Sequence, residues 1–235
     1  MDRTSNDIAT QLYEDIVIGA FSFGNKLVEE RLAKAYGTKR HILREAFGQL
    51  EEIGFVERIP NRGVYVRKPD PKEVRELYKL RALLETHATR EMPLPAPKET
   101  TDELRRIQDR HSAAIRGLNF REVLHLNTEF HRVQYSSCQN DTLVAAIEYY
   151  ATRTHLITAS KFSDAAVMEN VIAQHEAIIA AMKGHDHAVL AACVQNHFDM
   201  DRVDQYEREH NLRHEHQGAV PGQQTAALGR VWVTR

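Results

Sequence analysis

The amino-acid sequence predicts a mainly α-helical protein, with an N-terminal winged helix-turn-helix and a C-terminal all-α antiparallel helical bundle. Two observations lead to this prediction. Three apolar patterns at helical spacing and two short β-rich runs follow one another within the first ~65 residues. After residue 70, strand-like patterns almost disappear, and helical patterns alternate with breaks that contain proline or glycine. We therefore expect a winged helix-turn-helix at 1–69, a bundle at 70–216 and a flexible tail at 217–235.

The composition of the chain excludes several classes of protein. The 235 residues carry a net charge of −2 and are 42% hydrophobic, which is ordinary for a soluble globular protein. No apolar run approaches the roughly 18 residues of a membrane span, and the polar N-terminus differs from a secretory signal. Two cysteines, Cys138 and Cys193, are too few for a disulfide framework. We therefore expect a cytoplasmic protein with no membrane partner.

The N-terminal region contains three predicted helices and a hairpin. Apolar residues recur at helical spacing over 7–19, 28–36 and 38–53, and Thr38 is a candidate N-cap of the third helix. The runs FVERI and GVYVR, on either side of residues 60–63, show the composition and turn residues of a β-hairpin. Three helices followed by a hairpin are the outline of a winged helix-turn-helix.

The C-terminal region begins after a linker at 68–71, where two prolines disfavour helix. Short connections between its predicted helices favour an antiparallel bundle. The six predicted helical stretches are 71–91, 100–116, 119–138, 141–160, 164–183 and 186–212.

Basic residues at the start of the third helix indicate nucleic-acid binding. Arg40 and Arg44 lie one turn apart and share a face opposite the apolar stripe. Between residues 38 and 68 there are seven Lys/Arg against four Asp/Glu, and Arg62 lies at the hairpin tip. The alternative is that these charges form only a solvated helix face. The predicted DNA-contacting residues are Lys39, Arg40, His41, Arg44, Arg62 and Gly63.

Four segments of the N-terminal region together resemble the DNA-binding domain of GntR-type regulators. They are Leu27–Ala33, Gly37–Phe47, Leu50–Val56 and Arg62–Val66. In that family's pattern, two recognition-helix arginines correspond to Arg40 and Arg44, and the wing glycine corresponds to Gly63. Lys39 replaces the usual serine or threonine, and Ile42 replaces a common proline. The resemblance implies a bacterial transcription regulator, and we expect it to bind a palindromic operator in double-stranded DNA as a homodimer.

The helical remainder, residues 71–212, resembles the FadR-type or FCD ligand-binding domain that often follows this DNA-binding domain. The motifs that carry the resemblance are Leu80–Glu85, Asn127-x-x-x-His131, Asn140, His175-x-x-Ile178 and His197. In that family, an Asp-x-x-x-His pair and two histidines from other helices bind a divalent metal. The resemblance therefore implies a metal site at Asn127, His131, His175 and His197.

The side-chain chemistry of these four residues suits a divalent ion. Residues 127 and 131 are one helical turn apart and point the same way. Three neutral imidazoles and one oxygen donor suit Zn²⁺ or Ni²⁺, with open positions for a carboxylate ligand. Asn127 brings no negative charge, so the ion should bind more weakly than with aspartate. The alternatives are that the histidines are structural, and that Asn127 orients a water or an effector.

Two arginines are candidates for pairing with an effector carboxylate. Arg81 is the first candidate because a guanidinium binds a carboxylate through two parallel hydrogen bonds. Its alternative role is an intrahelical pair with Glu85. Arg153 is the second candidate, and its alternative is a surface charge.

The sequence thus predicts a repressor whose operator binding responds to a small organic or sugar acid, and we expect no enzymatic activity. Two alternatives remain: a helical-bundle metalloenzyme and a dimerisation module that binds no ligand. A metalloenzyme needs a general base beside the metal. No H-E-x-x-H pattern is present, and Glu129 points to a different face from Asn127 and His131.

Overall fold

The computed structural model describes residues 3–158, 165–198 and 203–209 and is mainly helical, as predicted. Its elements are α1 (Ser5–Val17), β1 (Lys26–Leu27), α2 (Glu29–Ala35), α3 (Arg40–Glu52), β2 (Val56–Ile59), β3 (Gly63–Val66), α4 (Pro71–Glu91), α5 (Lys98–Arg116), α6 (Phe120–Ser136), α7 (Asp141–Thr158), α8 (Ala165–Met182) and α9 (His187–His197). Residues 203–209 are helical again. No helix in these ranges is both long and apolar enough to span a membrane.

The first helix begins two residues before the predicted start because a capping box defines its N-terminus. The Thr4 hydroxyl accepts a hydrogen bond from the Asp7 amide, and the Asp7 carboxylate accepts one from the Thr4 amide. The helix ends before Gly19, which adopts a φ of +86°. Its apolar face, with Ile8 and Leu12, packs into the same core as Phe47 of α3.

The predicted hairpin is part of a three-stranded antiparallel sheet in the order β1-β3-β2. Ile59 pairs with Gly63 across the turn, and Val56 pairs with Val66 at the far end. The additional strand, β1, has two residues, and Leu27 pairs with Val64. The sequence prediction missed β1 because two residues are too few to show a strand period.

The predicted N-cap of the third helix was wrong. The residue before the first helical position is Lys39, which makes no side-chain capping hydrogen bond. The Thr38 amide instead donates to the Ala33 carbonyl in the turn that closes α2. Gly37 makes this turn possible with a φ of +61°. The recognition helix therefore begins at Arg40, so both predicted arginines lie within its first two turns.

The bundle contains the predicted helices, but the last predicted one is interrupted at Phe198; residues 203–209 are helical again, and 199–202 and 210–212 lie outside the described residues. The predicted 186–212 helix begins at His187 and ends at His197, where Phe198 turns to extended backbone with a ψ of 110°. Asp186 caps its N-terminus by accepting hydrogen bonds from two amides. The early end places His197 in the last turn of α9, beside the start of the following segment.

The two parts of the chain have separate cores that meet along α6 and α7. Leu124 of α6 and Leu156 of α7 belong to the hydrophobic cluster of the N-terminal helices. Arg121 of α6 forms ion pairs with Glu14 and Asp15 of α1. The boundary between 1–69 and 70–216 stays a prediction, and the predicted tail at 217–235 lies outside the described residues.

Replacing Phe47 with alanine tests the packing of the recognition helix. Phe47 is fully buried between α1 and α3, so we expect Phe47→Ala to lower the free energy of unfolding by about 3–5 kcal/mol. Denaturant unfolding measures this change. Val28→Ala is the control because Val28 is 39% exposed, and it should change stability by about 0.5 kcal/mol or less. Equal effects of the two substitutions would contradict the packing described.

Candidate metal centre and DNA-binding face

Three histidines from separate helices meet inside the bundle. One ring nitrogen each of His131 on α6, His175 on α8 and His197 on α9 lies within 4.8 Å of the other two. His175 is fully buried, and Phe130 stacks on its ring at 4.0 Å between centroids. The structure therefore brings together the three predicted imidazole ligands.

Each of these imidazoles contacts a glutamine oxygen through its Nδ1 atom. His131 Nδ1 donates to Gln134 Oε1 at 3.1 Å, and His175 Nδ1 donates to Gln108 Oε1 at 2.7 Å. His197 Nδ1 donates to Gln174 Oε1 at 2.9 Å. An amide oxygen only accepts hydrogen bonds, so each Nδ1 carries a proton and each neutral ring presents its Nε2 lone pair.

The orientation of Gln174 follows independently from its other hydrogen bond. Its Nε2 donates to the Asn196 carbonyl at 2.9 Å, so Oε1 must be the atom that faces His197. Such partners fix the tautomer and ring orientation of metal-binding histidines. Sequence reasoning missed all three glutamines, although Gln134 follows His131 by three residues and Gln174 directly precedes His175.

The arrangement of the Nε2 atoms favours a cation between them. His131 Nε2 and His197 Nε2 are 3.0 Å apart, and two lone pairs at this distance repel each other. Burial lowers the pKa of His131 to about 4 and that of His175 well below its usual value, so a proton is a poor bridge at neutral pH. The buried His175 Nε2 has no hydrogen-bond partner among the described residues. The donor set fits a divalent ion.

A cavity of about 1380 Å³ opens beside the histidines. His131 and His197 line it, and so does Asn127, one turn before His131 on α6. The lining also includes residues of α1 and α3, among them Tyr13 and Leu50. The cavity therefore reaches from the histidine cluster to the junction with the N-terminal helices.

The structure places one predicted effector arginine at the cavity and the other outside its lining. Arg81 lines the cavity, with its guanidinium bound to Glu85 at 2.8 Å and to the Thr154 hydroxyl at 2.7 Å. The intrahelical pair with Glu85 is therefore formed, and the pairing of Arg81 with an effector stays a prediction. Arg153 is absent from the cavity lining and contacts Glu73 at 3.2 Å.

The carboxylate of Glu85 is the acidic group bound to Arg81 in this buried network. It is 1% exposed, and the Tyr135 hydroxyl donates to its second oxygen at 2.6 Å. Burial and the nearby Glu85 raise the pKa of Tyr135, so this hydroxyl stays protonated. The charges of Arg81 and Glu85 therefore compensate each other before any ligand binds.

One further histidine at the cavity was not singled out from the sequence. His111 of α5 is 1% exposed and lines the cavity, and its ring centroid lies 5.2 Å from that of His175. Burial lowers its pKa to about 4, so the ring is neutral at physiological pH. Its ring nitrogens have no hydrogen-bond partner in the described part of the chain.

The predicted DNA-contacting side chains lie on the surface of the winged helix-turn-helix. The side chains of Arg40 and Arg44 are 62% and 60% exposed. Lys39 and His41 are exposed beside them at the start of α3. The face of α3 opposite the core is therefore basic and accessible to a DNA groove.

Two acidic residues of α2 contact these arginines, which the sequence analysis did not anticipate. Arg44 forms hydrogen bonds with both carboxylate oxygens of Glu29 at 3.0 and 3.1 Å. Arg40 lies 3.8 Å from Glu30. The Glu29 carboxylate of α2 holds the Arg44 guanidinium of α3 at the protein surface. DNA would therefore compete with Glu29 for this guanidinium.

The wing tip projects Arg62 from the turn between β2 and β3. Arg62 is exposed, and its carbonyl accepts a hydrogen bond from the Tyr65 hydroxyl at 3.2 Å. Gly63 has a φ of +109°, and a Cβ atom there would lie 3.2 Å from Lys26 Cε. Glycine at 63 therefore meets the conformational demand of the wing turn.

Two family models match the chain and together cover both parts. The model of bacterial regulatory proteins of the gntR family matches residues 4–66. The FCD domain model matches residues 76–200, which is more than half of the chain.

Curated relatives and solved structures agree with these matches. The HTH-type transcriptional regulator YdhC of Bacillus subtilis is 26% identical over 81% of this chain and 86% of its own length. The gluconate operon transcriptional repressor of Bacillus licheniformis is 22% identical over 82% of this chain and 81% of its own length. A GntR regulator structure from Rhodococcus has a TM-score of 0.71 at 20% identity, over 86% of this chain and 96% of its own. The chain belongs to the GntR family, combines its DNA-binding domain with an FCD domain, and is a DNA-binding transcription regulator.

Proposed function

We propose that this regulator is a cytoplasmic repressor whose operator binding is weakened by a small organic or sugar acid, which binds beside a divalent ion in the bundle. The observation that carries the proposal is the convergence of ring nitrogens from three histidines, two of which line a cavity that also contains Arg81. The similarity to a gluconate operon repressor supports both the sign of regulation and the class of ligand.

The ion would be held by His131, His175 and His197. Three imidazole ligands suit Zn²⁺ or Ni²⁺ and leave positions for other ligands. When bound, the ion supplies a positive charge to which a carboxylate can attach. Asn127 lines the same cavity and offers an amide oxygen as the fourth protein donor.

The acid would lie between the ion and Arg81. Because Glu85 already compensates the charge of Arg81, the ion supplies most of the attraction for a carboxylate. Arg81 and the Thr154 hydroxyl then provide directional hydrogen bonds.

Helix α6 offers a physical connection between the cavity and DNA. Its middle carries Asn127 and His131. Its first turns carry Arg121, which forms ion pairs with α1, and Leu124, which belongs to the same hydrophobic cluster as the apolar face of α1. Because α1 shares a hydrophobic core with α3, the recognition helix, a movement of α6 would displace α1 and, through it, α3. The acid binds more tightly to the conformation of the regulator that has low affinity for DNA. It therefore increases the fraction of molecules in that conformation, and the operator is released.

Operator recognition requires two recognition helices, so we propose a homodimer formed by the helical domains. Exposed apolar side chains on the packed helices α4 and α7 support this proposal. Leu83 of α4 is 68% exposed, and Tyr149 of α7 is 43% exposed.

A sensor fits the cavity better than a metalloenzyme does. Glu129 lines the cavity but lies 4.0 Å from Arg110, and the buried carboxylate of Glu85 is bound by Arg81 and Tyr135. Both carboxylates are therefore poorly suited to act as a general base. We therefore propose no catalytic activity.

Removing the Arg44 side chain should weaken operator binding. One guanidinium that contacts a base or phosphate contributes about 1–3 kcal/mol, so Arg44→Ala should weaken binding about 5- to 150-fold. Gel shifts on the DNA upstream of its own operon measure the change. Arg106→Ala is the control, because this arginine is 70% exposed on α5, and it should bind like wild type. Unchanged binding by Arg44→Ala would refute the recognition-helix assignment.

Metal content tests the histidine site. Protein purified without a His-tag should bind about one Zn²⁺ or Ni²⁺ per chain, and His131→Ala with His175→Ala should abolish it. Elemental analysis and calorimetry measure the content and affinity. His87→Ala with His185→Ala is the control, since both residues are exposed. Asn127→Asp should tighten binding by adding a negative charge. Metal retained by the first double variant would contradict the site.

Disrupting the contact between α6 and α1 should uncouple the sensor from DNA. Arg121→Ala removes the ion pairs with Glu14 and Asp15. A screen of organic and sugar acids by thermal shift, with and without Zn²⁺, identifies a ligand. We expect that ligand to weaken DNA binding about 5- to 150-fold in wild type and much less in Arg121→Ala.

The matched control for this experiment is Arg110→Ala, because Arg110 pairs with Glu122 of α6 on the exposed surface. It should respond like wild type. An undiminished response in Arg121→Ala would show that coupling takes another path.

A further inference from the structure

His111 is a buried polar side chain that the proposed ion leaves unexplained. It lies on α5, lines the cavity and is 1% exposed. Within the described ranges, neither of its ring nitrogens has a hydrogen-bond partner. Burying an imidazole in this way is unfavourable, so the side chain requires a partner that enters the cavity.

The neighbouring polar groups are already bound to one another. Gln108, one turn before His111 on α5, accepts from His175 Nδ1 and donates to the Ser112 hydroxyl at 3.1 Å. The ring of His175 lies 5.2 Å from the ring of His111 between centroids, which is a packing contact. If the Gln108 amide turned to form a hydrogen bond with His111, its hydrogen bonds with His175 and Ser112 would be lost.

His111 also lies outside the group of ion-binding nitrogens. Among the described residues, the group of three possible ligands with atoms within 4.8 Å of one another consists of His131, His175 and His197, without His111. His111 is therefore close to the proposed ion without sharing its coordination position.

We propose that His111 hydrogen-bonds a second polar group of the acid bound beside the ion, and so determines which acids the regulator recognises. This inference rests on the proposed function. The ligand class is a carboxylic acid with a hydroxyl or another oxygen close to its carboxylate. A neutral imidazole can donate or accept, depending on its tautomer, so it suits a hydroxyl group.

Specificity follows from the burial of the ring. An acid without the second polar group can bind the ion but leaves the His111 ring without a hydrogen bond. The free-energy cost of this unpaired ring lowers the affinity for that acid. An acid with a hydroxyl at this position removes the cost.

Acetate and glycolate are a suitable pair of probes, because they differ by one hydroxyl. Their affinities for the Zn²⁺-loaded full-length protein are measured by calorimetry in wild type, His111→Leu, His111→Asn and the exposed-site control His87→Leu. Glycolate chelates Zn²⁺ by itself, so the informative quantity is the change in the glycolate-to-acetate affinity ratio between proteins.

We expect His111→Leu to lower this ratio about three- to tenfold, the effect of one hydrogen bond. His111→Asn, which keeps a donor and an acceptor, should retain part of the preference, and His87→Leu should match wild type. Without ligand, His111→Leu should raise the thermal midpoint by about 2–4 °C, because it removes an unpaired buried polar group.

Three results would overturn the inference. An affinity ratio unchanged in His111→Leu means that the ring does not contact the acid. Loss of Zn²⁺ binding in both His111 variants means that the ring is an ion ligand. A wild-type protein that binds no Zn²⁺ or Ni²⁺ refutes the proposed function itself, and the inference with it. Normal Zn²⁺ binding with an unchanged ratio refutes only the role of His111.

Discussion

Three hydrogen bonds from imidazole Nδ1 atoms to glutamine oxygens determine the geometry of the histidine cluster. They give His131, His175 and His197 one tautomer and turn their Nε2 lone pairs toward a common region. The bonds also join helices, since Gln108 on α5 contacts His175 on α8. Without a cation, the 3.0 Å approach of two Nε2 atoms is repulsive. The contacts within the bundle therefore orient the three imidazoles for an ion before any ion binds.

The position of this cluster supports the proposal that a ligand bound there acts on DNA binding. The histidines are on α6, α8 and α9, and α6 is the helix that also contacts the N-terminal core through Leu124. The same cavity is lined by residues of α1 and α3. Under this proposal, ligand binding at the cluster acts on α6, which contacts the cores of both parts of the chain.

The helical periodicity and the β-hairpin were sufficient to predict the fold and the exposed face of α3. The predicted histidines also converge; because they lie on three different helices, it was the family resemblance, not helical periodicity, that predicted them as one group. Periodicity shows which side of a helix is buried, but it carries no information about partners on other helices. The contacts of Glu29 with Arg44 and of Gln108 with His175 therefore required the structure.

Local errors had similarly specific causes. Thr38 looked like a helix cap, but the turn at Gly37 uses its amide for a bond to Ala33. His111 looked like one histidine among 13, and only its burial without a partner distinguishes it. Arg153 was the second effector candidate after Arg81; the fold pairs it with Glu73, outside the cavity lining, and its role stays a prediction.

The most direct test is the location of zinc in crystals of the protein grown with Zn²⁺, measured by anomalous diffraction at the zinc absorption edge. If the three histidines form the proposed ion site, a single strong peak should lie inside the bundle. The zinc ion at this peak should be bonded to Nε2 of His131, His175 and His197, with the three Nδ1–glutamine contacts intact. Zinc bound only at other residues, or coordinated through Nδ1 with the glutamine contacts broken, would contradict it.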